Sequence, residues 1–168
     1  DGRALVFDDP RGLGVMRVLN PAQLAGLLRS IGVDPLSHEF TPERFASLAR
    51  SSRAAIKLLL MNQRRIAGLG NIYAAEALYR AGIDPRRIAA RLSRPRLVRL
   101  HAAIVDVLRE ALRSATAAYQ RPRGFAEAES FDCGVYGREG LPCPRCGRPV
   151  RRFAQGGRST YFCPGCQT

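Results

Sequence analysis

The stretch Ala67–Gly82, "AGLGNIYAAEALYRAG", decides how this chain folds. Two glycines lead into Asn71, and from Asn71 onward the residues favour helix until Gly82. The pattern predicts a helix from Asn71 to about Arg80, closed by Gly82 as its C-terminal cap. Asn71 stands at the mouth as the natural side-chain cap. Gly68 and Gly70 let the backbone turn twice and approach whatever the mouth faces. Unpaired N–H groups and the helix dipole also make such a mouth attractive to anions, so the same residues predict a phosphate site.

Helical signals continue on both sides. Upstream, Asn20-Pro21 starts a helix with the apolar stripe Leu24, Leu27, Leu28 and Ile31, and "GVDPLS" ends it. Thr41-Pro42-Glu43 starts a second helix towards Arg50, and residues 53–62, "RAAIKLLLMN", read as a third. Downstream, a longer helix follows Ser93, with Leu97, Leu100, Ile104, Leu108, Ala111 and Ala115 on one face. Residues 1–19 alternate weakly around Asp9-Pro10-Arg11-Gly12, as two strands joined by a turn do. They are too few for a sheet of their own. With no initiator Met, they make the chain read as the later part of something longer. The expected order is a strand remnant over 1–19, a helical domain over 20–125 and a small module over 126–168. No apolar run is long enough to span a membrane, and no signal peptide opens the chain.

The charge names a partner. The net charge is +13 over 168 residues, and Lys57 is the only lysine beside 26 arginines. Genome composition explains Arg over Lys, but not the excess of bases over acids. Guanidinium forks suit phosphates and base edges, so nucleic acid is the expected ligand.

Five cysteines stand at 133, 143, 146, 163 and 166. An odd number containing two C-x-x-C pairs fits a metal site in a cytosolic protein rather than a secreted disulfide framework. Cys143-x2-Cys146 and Cys163-x2-Cys166 lie 16 residues apart. That spacing closes a tetrahedral four-sulfur zinc site. Four thiolates leave no open position, so the zinc is structural. Cys133 is the spare, read as a small buried hydrophobe. Between the knuckles, Gln155-Gly156-Gly157-Arg158 forms the turn of a hairpin carrying Arg148, Arg151, Arg152 and Arg158. A rigid ribbon tipped with Arg suits a DNA groove or backbone.

Three segments resemble one known family. "IKLLLMNQRRIAGLGNIYAAEALYRAGIDPRR" is similar to the helix–two-turns–helix of the formamidopyrimidine-DNA glycosylase and endonuclease VIII family. "VYGREGLPCPRCGRPVRRFAQGGRSTYFCPGCQ" resembles its C-terminal zinc finger, and "DDPRGLG" a turn near the end of its N-terminal β-sandwich. The resemblance implies base-excision repair, in which a damaged base is flipped out of double-stranded DNA, cut from its sugar, and the abasic strand nicked. It implies a monomer in the bacterial cytoplasm, associated with the nucleoid. The family works through an N-terminal proline amine and an adjacent glutamate, and neither is in this sequence, so no catalytic residue is expected here. Asn71 matches the family's helix-mouth asparagine on phosphates beside the flipped nucleotide, with Gly70 allowing close approach. Arg158 matches the finger arginine on the same backbone. Arg11 matches the residue that fills the vacated space. Leu13 stands where the formamidopyrimidine branch usually has Phe, and Lys57 matches a lysine near the damage pocket. Cys143, Cys146, Cys163 and Cys166 match the zinc ligands. The segment "SATAAYQRPRGFAEAES" departs from the Gly-Gly-Thr-Thr-like loop of 8-oxoguanine-binding members, which leaves the preferred lesion open.

Several residues carry two readings. Lys57 is a desolvated nucleophile or an ordinary lysine at a helix edge touching phosphate or solvent, and the second is favoured. Glu76 is a general acid or base or, more simply, the partner of a nearby Arg. Arg64 and Arg65 contact phosphate or solvent. His38 and His101 have no partners at motif spacing and receive no role. The main alternative for the whole is a non-catalytic zinc module that grips damaged DNA. A third reading is RNA binding in a ribosome-like setting.

Overall fold

The computed structural model describes residues 4–9, 12, 14–119 and 131–168. The chain divides into two units, Asp1–Ser30 and Ile31–Thr168.

In the first unit, Asn20 and Gln23 cap α1 (Pro21–Ser30) reciprocally. The Gln23 amide donates to Asn20 Oδ1 at 2.9 Å and the Asn20 amide to Gln23 Oε1 at 3.0 Å. The expected strands over 1–19 do not form among the described residues, although Gly12 donates to the Asp9 carbonyl at 3.0 Å and closes the predicted turn. Leu5, Val6 and Val18 are exposed. A lone pair of short strands that buries nothing is marginal.

The second unit is built around one helix. α2 (Pro42–Arg50) begins where predicted, with Thr41 Oγ1 accepting from the Arg44 amide at 3.1 Å, and it buries Phe45, Ala46 and Ala49. α3 covers only Ile56–Leu60, shorter than the expected 53–62. The preceding backbone is engaged elsewhere: Ala89 donates to the Ala54 carbonyl, Ala90 to the Ser52 carbonyl, and Ile56 to the Arg87 carbonyl. Those bonds hold residues 52–55 out of helical geometry.

α4 (Asn71–Ala81) is the central element, burying Ala74, Ala75, Glu76, Ala77, Leu78, Tyr79 and Ala81. Its small alanines let α5 (Arg94–Tyr119) lie against it. α5 adds Leu97, Leu100, Ala103, Ile104, Val107 and Ala111 to the same core. Each fully buried Leu or Ile contributes roughly 1.5–3 kcal/mol. Gly82 ends α4 in the left-handed region (φ +69°), with the Ile83 amide donating to the Leu78 carbonyl at 2.9 Å.

The hairpin forms around the predicted glycine turn. β1 (Arg151–Gln155) pairs antiparallel with β2 (Arg158–Phe162), Gln155 facing Arg158 and Phe153 facing Thr160. Gly156 and Gly157 both have positive φ, as a two-residue hairpin turn requires. The turn sits so close to α3 that a Cβ on Gly156 would lie 2.6 Å from Leu58 Cδ2.

Candidate nucleic-acid interface and metal centre

The four cysteine sulfurs of the two knuckles lie within 4.8 Å of one another. Cys143 and Cys166 are 3.8 Å apart, and Cys146 and Cys163 are 3.4 Å apart. A tetrahedron of thiolates at zinc–sulfur bonds of about 2.3 Å has edges of about 3.8 Å, so the cluster fits one zinc ion. Burial pushes the Cys143 thiol up, but hydrogen bonds from Tyr79 and the backbone amides of Arg145 and Cys146 outweigh it and bring it down to about 6. Burial and bonds with the neighbouring thiols push Cys166 up to about 12. Zinc would displace the protons of the remaining thiols and hold all four sulfurs as thiolates. Cys133 stands apart; burial and the nearby Glu76 carboxylate push its thiol up to about 11, which makes it inert at neutral pH.

The finger is fastened to both ends of α4. At the C-terminal end, Gln167 Nε2 donates to the Ile83 carbonyl at 2.9 Å, while its Oε1 accepts from the Cys163 amide at 2.8 Å. Arg145 lies over the Tyr79 ring at 4.3 Å and donates to the Tyr79 carbonyl at 2.9 Å. The Tyr79 hydroxyl is 3.3 Å from Cys143 Sγ. In the middle, Glu76 makes no ion pair with an arginine among the described residues. It is buried, and its carboxylate accepts from the amides of Gly134, Val135 and Tyr136 at 3.0, 2.9 and 2.8 Å.

At the N-terminal end the structure revises two expectations. Gly70, not Asn71, is the N-cap, and Asn71 is the first helical residue. Its carboxamide turns away from its own helix: Nδ2 donates to the Ser159 carbonyl at 3.0 Å and to the Tyr136 hydroxyl at 3.5 Å, and Oδ1 accepts from Lys57 Nζ at 2.6 Å. Lys57 is not an ordinary helix-edge lysine. Its side chain is fully buried, and Nζ also donates to Thr160 Oγ1 at 2.7 Å and the Ser159 carbonyl at 3.3 Å. Burial, with the Arg158 guanidinium nearby, brings its pKa down to about 8. With only one lysine in the chain, its singularity was visible in the sequence, but its burial was not.

Asn71, Gly70 and Arg158 border one hollow of about 310 Å³, together with Gly68, Leu69 and Gln63. A Cβ on Gly70 would meet nothing within 4 Å, so that side is open. Arg158 is exposed and makes no ion pair among the described residues. Gln63, which the sequence reading passed over, shapes the approach: its Oε1 accepts from the Gly68 amide at 2.8 Å and its Nε2 donates to the Leu69 carbonyl at 3.0 Å. No local pattern marks it. Beside the mouth, a second hollow of about 390 Å³ lies between Ile72 and Tyr73 on α4 and the segment holding Phe131, Tyr136 and Arg138.

Other expectations separate from the site. Arg65 donates to Ser51 Oγ at 2.7 Å and is fixed locally, whereas Arg64 is exposed. His101 Nε2 donates to the Phe40 carbonyl, 2.6 Å away, and its ring stacks on the Phe40 ring. Arg11, Leu13 and most of the segment that departs from the 8-oxoguanine loop lie outside the described residues. Among the described residues no helix is long and apolar enough to cross a membrane.

Comparison with known proteins gives a consistent picture. Residues 31–121 match the formamidopyrimidine-DNA glycosylase H2TH domain, and residues 140–168 match a zinc finger found in FPG and IleRS. A formamidopyrimidine-DNA glycosylase of Roseiflexus sp. (strain RS-1) is 43% identical over 99% of this chain and 62% of its own length. One from Thermus thermophilus is 44% identical over 99% of this chain and 65% of its length. The chain thus spans less than two thirds of these curated relatives. The crystal structure of MutM (Fpg) from Thermus thermophilus superposes with a TM-score of 0.76 at 39% identity, covering 95% of this chain and 62% of that one. Lactococcus lactis Fpg in complex with an abasic site containing DNA gives 0.74 at 32% identity, over 88% of this chain and 55% of that one.

Proposed function

Because the chain belongs to the formamidopyrimidine-DNA glycosylase family, we propose that it is the part of a base-excision-repair glycosylase and abasic-site lyase that holds damaged double-stranded DNA while a base is extruded. One observation carries this reading. Asn71 on α4 and Arg158 on the zinc hairpin are far apart in sequence, yet both border the same open hollow at a helix mouth. A phosphate there meets the helix N-terminus, a carboxamide and a guanidinium together. Gripping the backbone at this point offsets the few kcal/mol lost when a base leaves the stack. The neighbouring hollow, walled by Tyr73, Phe131 and Tyr136, suits the flat face of an extruded base. Arg11 and Leu13, if they follow the family, fill the space left behind. The zinc holds the hairpin rigid and takes no part in chemistry. The protein acts as a monomer beside the nucleoid.

Substituting Asn71→Ala or Arg158→Ala weakens binding to a duplex containing an abasic-site analogue by about tenfold or more, the range of a charge-assisted hydrogen bond. Fluorescence anisotropy measures this, and unchanged affinity in both variants refutes the reading. The 168 residues bind without cutting. Lys57 is enclosed by three acceptors and the Cys133 thiol stays protonated, so neither serves as a nucleophile. Borohydride therefore traps no covalent adduct with abasic DNA, and an adduct that disappears in Lys57→Ala would contradict this.

A further inference from the structure

The Lys57 ammonium has three hydrogens and three acceptors: Asn71 Oδ1 at 2.6 Å, Thr160 Oγ1 at 2.7 Å and the Ser159 carbonyl at 3.3 Å. None is left for a phosphate, and the side chain is fully buried. It stands behind the helix mouth rather than on its surface. An ammonium only donates, so its partners must turn lone pairs towards it. A carboxamide has one accepting end and one donating end of nearly the same shape. Facing Lys57, Asn71 must give its oxygen to the ammonium, which leaves its NH2 towards the Ser159 carbonyl and the Tyr136 hydroxyl.

We propose that Lys57 is a positioning residue that locks the polarity of the Asn71 carboxamide, and that Thr160 ties this lock to the zinc hairpin. The inference rests on the reading that Asn71 and Arg158 hold a DNA phosphate. With the lock in place, one Asn71 N–H is held by the Ser159 carbonyl at 3.0 Å, and the other, on the long 3.5 Å bond to the Tyr136 hydroxyl, is the donor that an anionic acceptor can take over. With the amide reversed, its oxygen would face the phosphate oxygens and repel them. The hydrogen-bond chain continues in one direction. Thr160 Oγ1, having accepted from Lys57, donates to Gln155 Oε1 at 3.3 Å, and Gln155 Nε2 donates to the Pro85 carbonyl at 3.2 Å. A group that only donates stands at one end and one that only accepts at the other, so no member can reverse alone. Gln155 is also the cross-strand partner of Arg158. One polar chain therefore fixes the orientation of Asn71 and the strand position of Arg158.

A double-mutant cycle on the zinc-loaded 168-residue chain tests this, with Lys57→Met, Asn71→Ala and the double variant titrated against abasic-analogue duplex at several salt concentrations. Lys57→Met is expected to weaken binding about as much as Asn71→Ala, and the double variant no further. The salt dependence of Lys57→Met stays that of the unsubstituted chain, because Lys57 neutralises no phosphate. Additive losses, or a log–log salt slope shallower by about 0.9, assign Lys57 to direct contact and overturn the lock. Thr160→Val, which keeps shape and removes the acceptor, is expected to give a smaller loss that also vanishes in the Asn71→Ala background; a full additive loss speaks against the tie. NMR of the free protein reads the lock without DNA. The two Asn71 NH2 protons are distinct, the one on the Ser159 carbonyl being slow to exchange, and Lys57→Met lets the amide turn and removes that protection. Unchanged protection overturns the lock, whereas unaffected affinity in both Asn71→Ala and Arg158→Ala overturns the phosphate reading alone.

Discussion

At the scale of single residues, Lys57 shows how far a side chain's setting departs from its type. Its pKa of about 8 in the folded protein lies below the ordinary 10.5 because burial penalises the ammonium. Between those values the unfolded chain binds more protons than the folded one, so this group makes stability rise with pH from about 8 to about 10.5. The rise amounts to a few kcal/mol. Urea unfolding of the unsubstituted chain and Lys57→Met across that window should differ in slope, with the variant lacking this contribution. Parallel profiles would mean that Lys57 titrates normally. Asn71 was identifiable from its helix-mouth position in the sequence. Its partners were not: Lys57 lies 14 residues upstream and Ser159 lies 88 downstream.

At the scale of elements, α4 acts as a spine with fixtures along its length. Glu76 is the middle fixture, gathering three amides of residues 134–136 on one carboxylate. Glu76→Gln keeps the volume but turns a donor towards those amides. It should lower stability by about 1–3 kcal/mol in denaturant titrations and speed hydrogen exchange at Gly134, Val135 and Tyr136. Exchange left as it was would show that the segment is held by other contacts. Elements with local causes were legible: α2 from Thr41-Pro42, the end of α4 from Gly82, and the hairpin from its paired glycines. Elements whose form depends on distant backbone were not. α3 is shortened because residues 52–55 bond to residues 87–90, which no window around Lys57 contains. Residues 4–19 have strand composition, but composition alone supplies no pairing partner.

At the scale of the whole molecule, the helices and the finger of Ile31–Thr168 share one compact unit. The zinc ligand Cys143 touches Tyr79 of α4, and Gln167 links the second knuckle to Ile83. Zinc contributes on the order of 10 kcal/mol to the folding of such a module. Removing it with a chelator is therefore expected to loosen α4 along with the finger. Circular dichroism at 222 nm, followed during chelation, should lose helix signal in step with zinc release. Retention of the full helix signal after the zinc has left would show that the helices stand without the finger.

The burial of the sole lysine reaches beyond the helix mouth. Every surface cation among these residues is a guanidinium, and no side-chain amine is open to solvent. Lysine acetylation has no exposed target here, and amine-directed crosslinkers find no surface lysine to modify. Guanidinium charge does not titrate near neutrality. The attraction of this surface for a polyanion is thus a constant of the covalent structure, adjustable by ionic strength and insensitive to enzymes that write on lysine.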